Sequence, residues 1–215
     1  MFVRKRLARN QMSIIRKFLL SIALAALTVG AADADGDPDR GAVLANTCLG
    51  CHGIPGQRNG YPSYRVPKLG GQHADYLVLG LQGYKNLGRA HPTMQAQAAT
   101  LNEQDMRDLA AYFVSHSDMK VDSKAASTQV ARGQAKAAVC AACHGDTGVS
   151  DTPGWPTLAG QHKDYLVESM TQYRNGQRND PVMAGQLINL SDDDIEDLAA
   201  FYAAQPGLFT ATDEE

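Results

Sequence analysis

The chain has 215 residues, 44% of them hydrophobic, with 20 Lys and Arg against 23 Asp and Glu. That length allows one or two globular domains, and the polarity excludes a protein made of membrane spans. Without residues 1–34 the balance falls to 14 basic and 22 acidic side chains, which excludes a nucleic-acid partner, since that would call for a basic stripe.

The chain opens with Arg4, Lys5, Arg6, Arg9, Arg16 and Lys17, followed by an apolar run over 18–32 that is broken by Ser21, Thr28 and Gly30. Ala32-Asp33-Ala34 then reads as a cleavage site of small residues. The fifteen residues of this run fall short of the ~20 that span a bilayer as a helix. Residues 1–34 are therefore expected to be a cleaved signal peptide that delivers the chain to the periplasm. The stretch from Met12 to Ala34 has this layout by itself, and no Arg-Arg pair is present, which favours export of an unfolded chain.

A first helix is expected over 39–47, running into Cys48-Leu49-Gly50-Cys51-His52. The same motif returns as Cys140-Ala141-Ala142-Cys143-His144, and together the two use every cysteine in the chain. C-x-x-C-H is the attachment signal for c-type haem, in which two thiols bond to the porphyrin and the histidine lies under the iron. A dithiol or zinc site can also use C-x-x-C. Zinc shared between the two pairs would leave both histidines unexplained, and a dithiol does not explain why the motif recurs in a repeated context.

The repeat extends well beyond the motif. Arg40-Gly41 precedes the first motif as Arg132-Gly133 precedes the second, and these glycines are expected to let the first and last helices of each copy cross closely. Pro67 in the segment 66–73 matches Pro156 in 155–162, and both segments end in Gly-Gln-His. A second helix is expected over 74–86 and 163–175, and a last helix begins at the N-caps Asn102 and Ser191. No segment alternates as a strand does. The chain thus reads as all-α, with a signal peptide at 1–34 and two tandem domains at 35–119 and 120–215, joined in the polar stretch 118–127. Three extra residues in the first copy fall in the loop that contains Tyr61 and Tyr64.

A haem iron needs a sixth ligand. Met106 falls within a helical pattern, and Met170 takes the place of Leu81, so both read as core. Met119 lies in the linker. Met94 and Met183 each follow Pro-x at the same repeat position, in a segment read as a loop, and are the expected ligands. His91 competes only in the first copy, where Asp180 is its counterpart. His73 and His162 recur but read as helix-entry residues, and His116 has no equivalent.

On these motifs the chain resembles a dihaem cytochrome c of the cytochrome c4 family, over essentially all of residues 35–215. The resemblance is greatest in the second copy, through Gly133-Gln134-Ala135-Lys136, Leu158-Ala159-Gly160-Gln161 and Pro181-Val182-Met183. It implies two class I cytochrome c folds about a pseudo-twofold axis, each with one covalently bound haem. His52 and Met94 would ligate one iron, and His144 and Met183 the other. It also implies that the carbonyls of Pro67 and Pro156 accept hydrogen bonds from the proximal histidines. The implied role is an electron carrier with no substrate site, between a bc1-type donor and a terminal oxidase, with peripheral membrane association compatible with that position. A different subunit role, as the dihaem electron acceptor of a dehydrogenase such as flavocytochrome c sulfide dehydrogenase, shares the same motifs. A peroxidase or thiosulfate-oxidising enzyme would need one open haem, which the paired Pro-x-Met motifs argue against. The loop from Tyr61 to Arg65 departs from the family pattern.

Charge is unevenly distributed. Residues 40–120 hold eight basic and five acidic side chains, whereas 121–215 hold six and fourteen. Two ends of opposite sign are expected to address different partners through electrostatic steering.

Overall fold

The computed structural model describes residues 36–115 and 127–211, all within one compact unit. The signal-peptide segment, most of the 118–127 linker, Met119 and His116 lie outside the described residues. The first half contains α1 (Pro38–His52), α2 (Ala74–Lys85), α3 (Pro92–Ala99) and α4 (Glu103–Ser115). The second contains α5 (Thr128–Lys136), α6 (Ala138–His144), α7 (Lys163–Arg174), α8 (Pro181–Leu187) and α9 (Asp192–Ala203). Among the described residues there are no strands, only three isolated bridges.

Local chemistry sets the helix starts. Asp37 caps α1 by accepting from the amides of Asp39 and Arg40, with Pro38 in the first turn. Ser191 and Asp194 form a reciprocal capping box on α9. Asn102 and Asp105 exchange equivalent bonds at 2.8 and 2.9 Å before α4. The expected helices are all present, but the first helix of the second half is divided at Ala137 into α5 and α6. The segments with Met94 and Met183 were expected to be loops and instead open α3 and α8. In each, a capping residue followed by Pro starts a short helix, with Met as its third residue.

In each half the first helix crosses the last. A Cβ on Gly41 would fall closer than 3.0 Å to the Asp108 carbonyl oxygen, and one on Gly133 equally close to that of Asp197. The preceding arginine seals each crossing. Arg40 pairs with Asp105 and Asp108, and Arg132 meets Asp197 through Nε at 2.9 Å and Nη2 at 2.8 Å. Asp108 and Asp197 are 1% and 2% exposed, so these carboxylates need their partners. Around the crossings pack Ala45, Leu109, Tyr112 and Phe113 in one half and Leu166, Leu198, Phe201 and Tyr202 in the other. Met106 is buried and Met170 packs on the second core, as expected.

These aspartates make the fold acid-sensitive. Hydrogen bonds from Arg132 and Lys136 hold Asp197 at about 2. Burial pushes Asp108 up, but the Asp37 amide, Gln104 and Arg40 outweigh it and the net shift is downward. A carboxyl lowered in the folded state contributes stability above its unfolded value, about 4, and loses it as pH falls towards about 2. The melting temperature is therefore expected to fall steeply across that window. Asp197→Asn should lower it at neutral pH and flatten the fall, as thermal melts followed by circular dichroism would show. An unchanged acid limb in that variant would contradict the assignment.

The halves face each other about a pseudo-twofold axis. Gln72 donates to the Thr157 carbonyl at 3.0 Å and accepts from its amide at 2.9 Å. Gln161, at the equivalent position, exchanges the same pair of bonds with Lys68, each at 3.0 Å. Closer to the axis the Ala90 amide donates to Gln177 at 2.9 Å and the Asn179 amide to Gly88 at 2.7 Å. The extra loop of the first half docks on the second. Arg58 Nη1 and the Arg65 amide reach Asp164 at 3.0 and 3.2 Å, and Tyr64 is buried beside Tyr165.

The C-terminal tail joins both halves. The Leu208 amide donates to Ala159 at 2.8 Å, while Phe209 exchanges bonds with Gly70, the counterpart of Ala159. A side chain on Gly70 would collide with the Phe209 ring. Ala211, 1% exposed, completes the core of the first half.

Candidate haem sites

Each C-x-x-C-H motif occupies the last turn of a helix, α1 or α6. Cysteines three apart share a face, with the histidine one turn beyond the first of them. All four thiols are free of disulfides. Burial raises the Cys48 and Cys140 thiols above their ordinary value.

The histidines are held identically. His52 Nδ1 lies 2.8 Å from the Pro67 carbonyl oxygen, and His144 Nδ1 lies 2.8 Å from that of Pro156. A carbonyl only accepts, so each Nδ1 carries the proton and each Nε2 is left with its lone pair. Burial lowers both imidazoles, although the proline carbonyls oppose it, so the neutral ring is favoured. A neutral, oriented imidazole is the form that binds iron.

Met94 and Met183 are both partly buried, in the first turns of α3 and α8. These short helices pack on α2 and α7, which also contact α4 and α9. His73 Nε2 donates to the Ser150 carbonyl across the interface at 2.9 Å, which accounts for that side chain without a ligand role. His91 caps α3 by accepting from the Met94 amide.

Arg89 and Arg178 lie where the halves meet, in an antiparallel bridge. Arg89 lies over Tyr76 and Tyr84, and Arg178 over Tyr165 and Tyr173. Arg178 is 3% exposed and its Nε has no hydrogen-bond partner. Among the described residues no carboxylate lies within 4.0 Å of either guanidinium. Their field is felt nearby: burial raises the Tyr76 phenol, but Arg89 and Arg178 outweigh it and bring it down to about 8. One buried and one partly buried cation without acids suit a cofactor that carries carboxylates, as haem does through its propionates. Two free thiols and an oriented imidazole suit the rest of that group. Sequence reasoning missed both arginines. Their signal was the recurrence of an Arg three residues after Tyr-basic-Asn, as Arg89 and Arg178.

Four acids at the start of α9 are paired within the second half. Asp192 pairs with Arg174, Asp194 with Lys136, Glu196 with Lys163 and Asp197 with Arg132 and Lys136. Each of these pairs joins an acid and a base of the same half, so they fix the start of α9 without changing the net negative excess of that half.

Two such sites on one all-helical chain define a protein built to hold two c-type haems. The cytochrome c family model matches residues 38–117 and 130–203. Cytochrome c4 of Pseudomonas aeruginosa is 50% identical over 80 residues, 37% of this chain. That alignment spans 40% of the relative's length. The crystal structure of reduced recombinant cytochrome c4 from Pseudomonas stutzeri superposes with a TM-score of 0.67 at 31% identity, covering 79% of this chain and 99% of that one. A thiosulfate dehydrogenase electron acceptor of Stutzerimonas stutzeri is 29% identical over 172 residues, 74% of this chain and 79% of that one. The chain belongs to the cytochrome c family, as a dihaem member of the cytochrome c4 type with two covalently bound haem c groups. Cytochromes of this type are electron-transfer proteins, not enzymes.

Proposed function

We propose that the chain is a periplasmic electron carrier of a respiratory chain, which takes single electrons from a bc1-type donor, holds up to two, and delivers them to a terminal oxidase. Cys48 and Cys51 anchor one haem and Cys140 and Cys143 the other. His52 with Met94, and His144 with Met183, are the axial pairs. The observation that carries this reading is the duplicated site, in which the His–Pro hydrogen bond has the same length in both halves and Met stands third in the short helices α3 and α8.

Bound haem supplies reversible one-electron exchange at iron, and a thioether ligand raises its potential. The chain's residues do the rest. The cysteine pairs fix the porphyrin to a helix end. The proline carbonyls lock the imidazole rings, and the two methionines would complete the iron ligand sets and leave no position for a substrate. Arg89 and Arg178 place positive charge where the two halves meet and would pair with haem propionates there.

The similarity to a thiosulfate dehydrogenase electron acceptor favours a second reading, in which the chain serves one dehydrogenase as its acceptor subunit. Rates with two purified partners separate the readings. A shuttle is expected to be reduced by a bc1-type complex and oxidised by a terminal oxidase, both at rates that fall as salt rises. Reversing Asp192 or Asp194 would break ion pairs and the α9 cap, so Asp193, whose carboxylate makes no ion pair, is the better probe of two-ended docking. Asp193→Lys is expected to slow only one of the two reactions. Slow, salt-independent reaction with both partners and fast reduction by a thiosulfate dehydrogenase would support the subunit reading.

A further inference from the structure

The two halves match residue for residue through most of their sites, but they differ at one position that touches a proposed ligand. α3 and α8 start alike, with an extended capping residue, then Pro, then Met two residues further on. The cap of α3 is His91, whose Nδ1 accepts from the Met94 amide at 3.2 Å. The cap of α8 is Asp180, one oxygen of which accepts from the amides of Val182 and Met183 at 3.0 and 3.1 Å. Both residues do the same structural work. They differ in charge, because an Nδ1 that accepts an N–H carries no proton whereas a carboxylate is anionic. His91 is surrounded by a mainly neutral environment, with Tyr84 edge-on at 6.3 Å between centroids. Glu168 lies within electrostatic reach across the interface, with its carboxylate engaged by Gln172 at 2.7 Å.

We propose that these caps are positioning residues that also help to set the potentials. Asp180 holds a negative charge at the backbone of Met183 and lowers the potential of the C-terminal haem, while His91 holds Met94 without doing so. The proposal rests on methionine ligation as read above. One-electron reduction of ferric iron by a donor protein removes one positive charge from the centre. A carboxylate fixed beside the ligand favours the ferric form, and in a partly desolvated site water screens it incompletely. The caps would then make two otherwise similar centres unequal, giving the electron a preferred resting half.

The test is a potentiometric titration of the holoprotein, alongside the near-infrared thioether-to-iron band of the ferric form and a thermal melt. Asp180→Asn keeps an acceptor oxygen for the cap and removes the charge. It is expected to shift one of the two midpoints upward, so that the ferrous fraction of that haem at fixed potential rises severalfold, with the other midpoint, the band and the melt unchanged. His91→Asp is expected to shift the other midpoint downward. Both midpoints unmoved in both variants, with the band intact, would overturn the proposal. So would a midpoint that moves only together with loss of the band, because the cap would then act through structure alone. Failure of methionine ligation itself shows differently, as a band that survives Met183→Ala.

Discussion

Gly133→Ala is expected to unfold the C-terminal half at physiological temperature, or to lower its stability by about 3 kcal/mol or more. In an open helix the same change would stabilise by roughly 0.5–1 kcal/mol, since alanine is the better helix former. Here the new methyl meets the Asp197 carbonyl oxygen and the Phe201 Cβ, both closer than 3.0 Å. The oxygen is backbone of α9, so relief requires the helices to move apart. Separation would strip Arg132 and Lys136 from Asp197, which is 2% exposed, and loosen Leu198, Phe201 and Tyr202. An uncompensated buried carboxylate adds to the cost of the clash. Gly41→Ala is expected to do the same in the first half, against Asp108 and Tyr112. Thermal unfolding by circular dichroism reads the effect, and a melt equal to the parent would show that the crossings can widen at little cost.

Features carried by local pattern were legible in the sequence. The repeat exposed itself through Cys-x-x-Cys-His, Arg-Gly and Gly-Gln-His, and the crossing glycines and the core positions of Met106 and Met170 followed from it. The starts of α3 and α8 were not, because Pro-x-Met reads as a turn unless the residue before proline is recognised as a cap. The interface was also missed. Gln72 and Gln161 are polar side chains near a helix start, and nothing in their spacing says that each bonds the backbone of the other half. Their recurrence was the available signal, and it was assigned to the neighbouring histidines. The tail was illegible for a related reason. Leu208, Phe209 and Ala211 have no counterpart in the repeat, and their place depends on how the halves dock. The segregated charge was legible as a count, but which acids are paired was not, because ion pairs such as Arg132 to Asp197 form between residues 65 apart.

Removing a proposed sixth ligand should open a centre that is otherwise closed. The reduced parent protein is expected to bind almost no carbon monoxide near neutral pH, because in the proposed ligation a thioether fills each sixth position. Met183→Ala is expected to bind one carbon monoxide per chain, rapidly, and Met94→Ala likewise at the other haem. Neither change should unfold the protein, since both side chains are only partly buried and stand in short helices whose caps remain. Optical titration of the reduced variants gives the stoichiometry. Rapid binding at one haem of the parent would favour an enzyme with an open site, and no binding in either variant would show that another group holds that position.

The proposed carrier role rests on methionine ligation at both irons, and the near-infrared thioether-to-iron band of the ferric parent measures it most directly. Scaled to total haem, the intensity is expected to correspond to two methionine-bound haems per chain, with Met94→Ala and Met183→Ala each removing about half. A band worth only one haem, or one that either substitution leaves intact, would contradict the account.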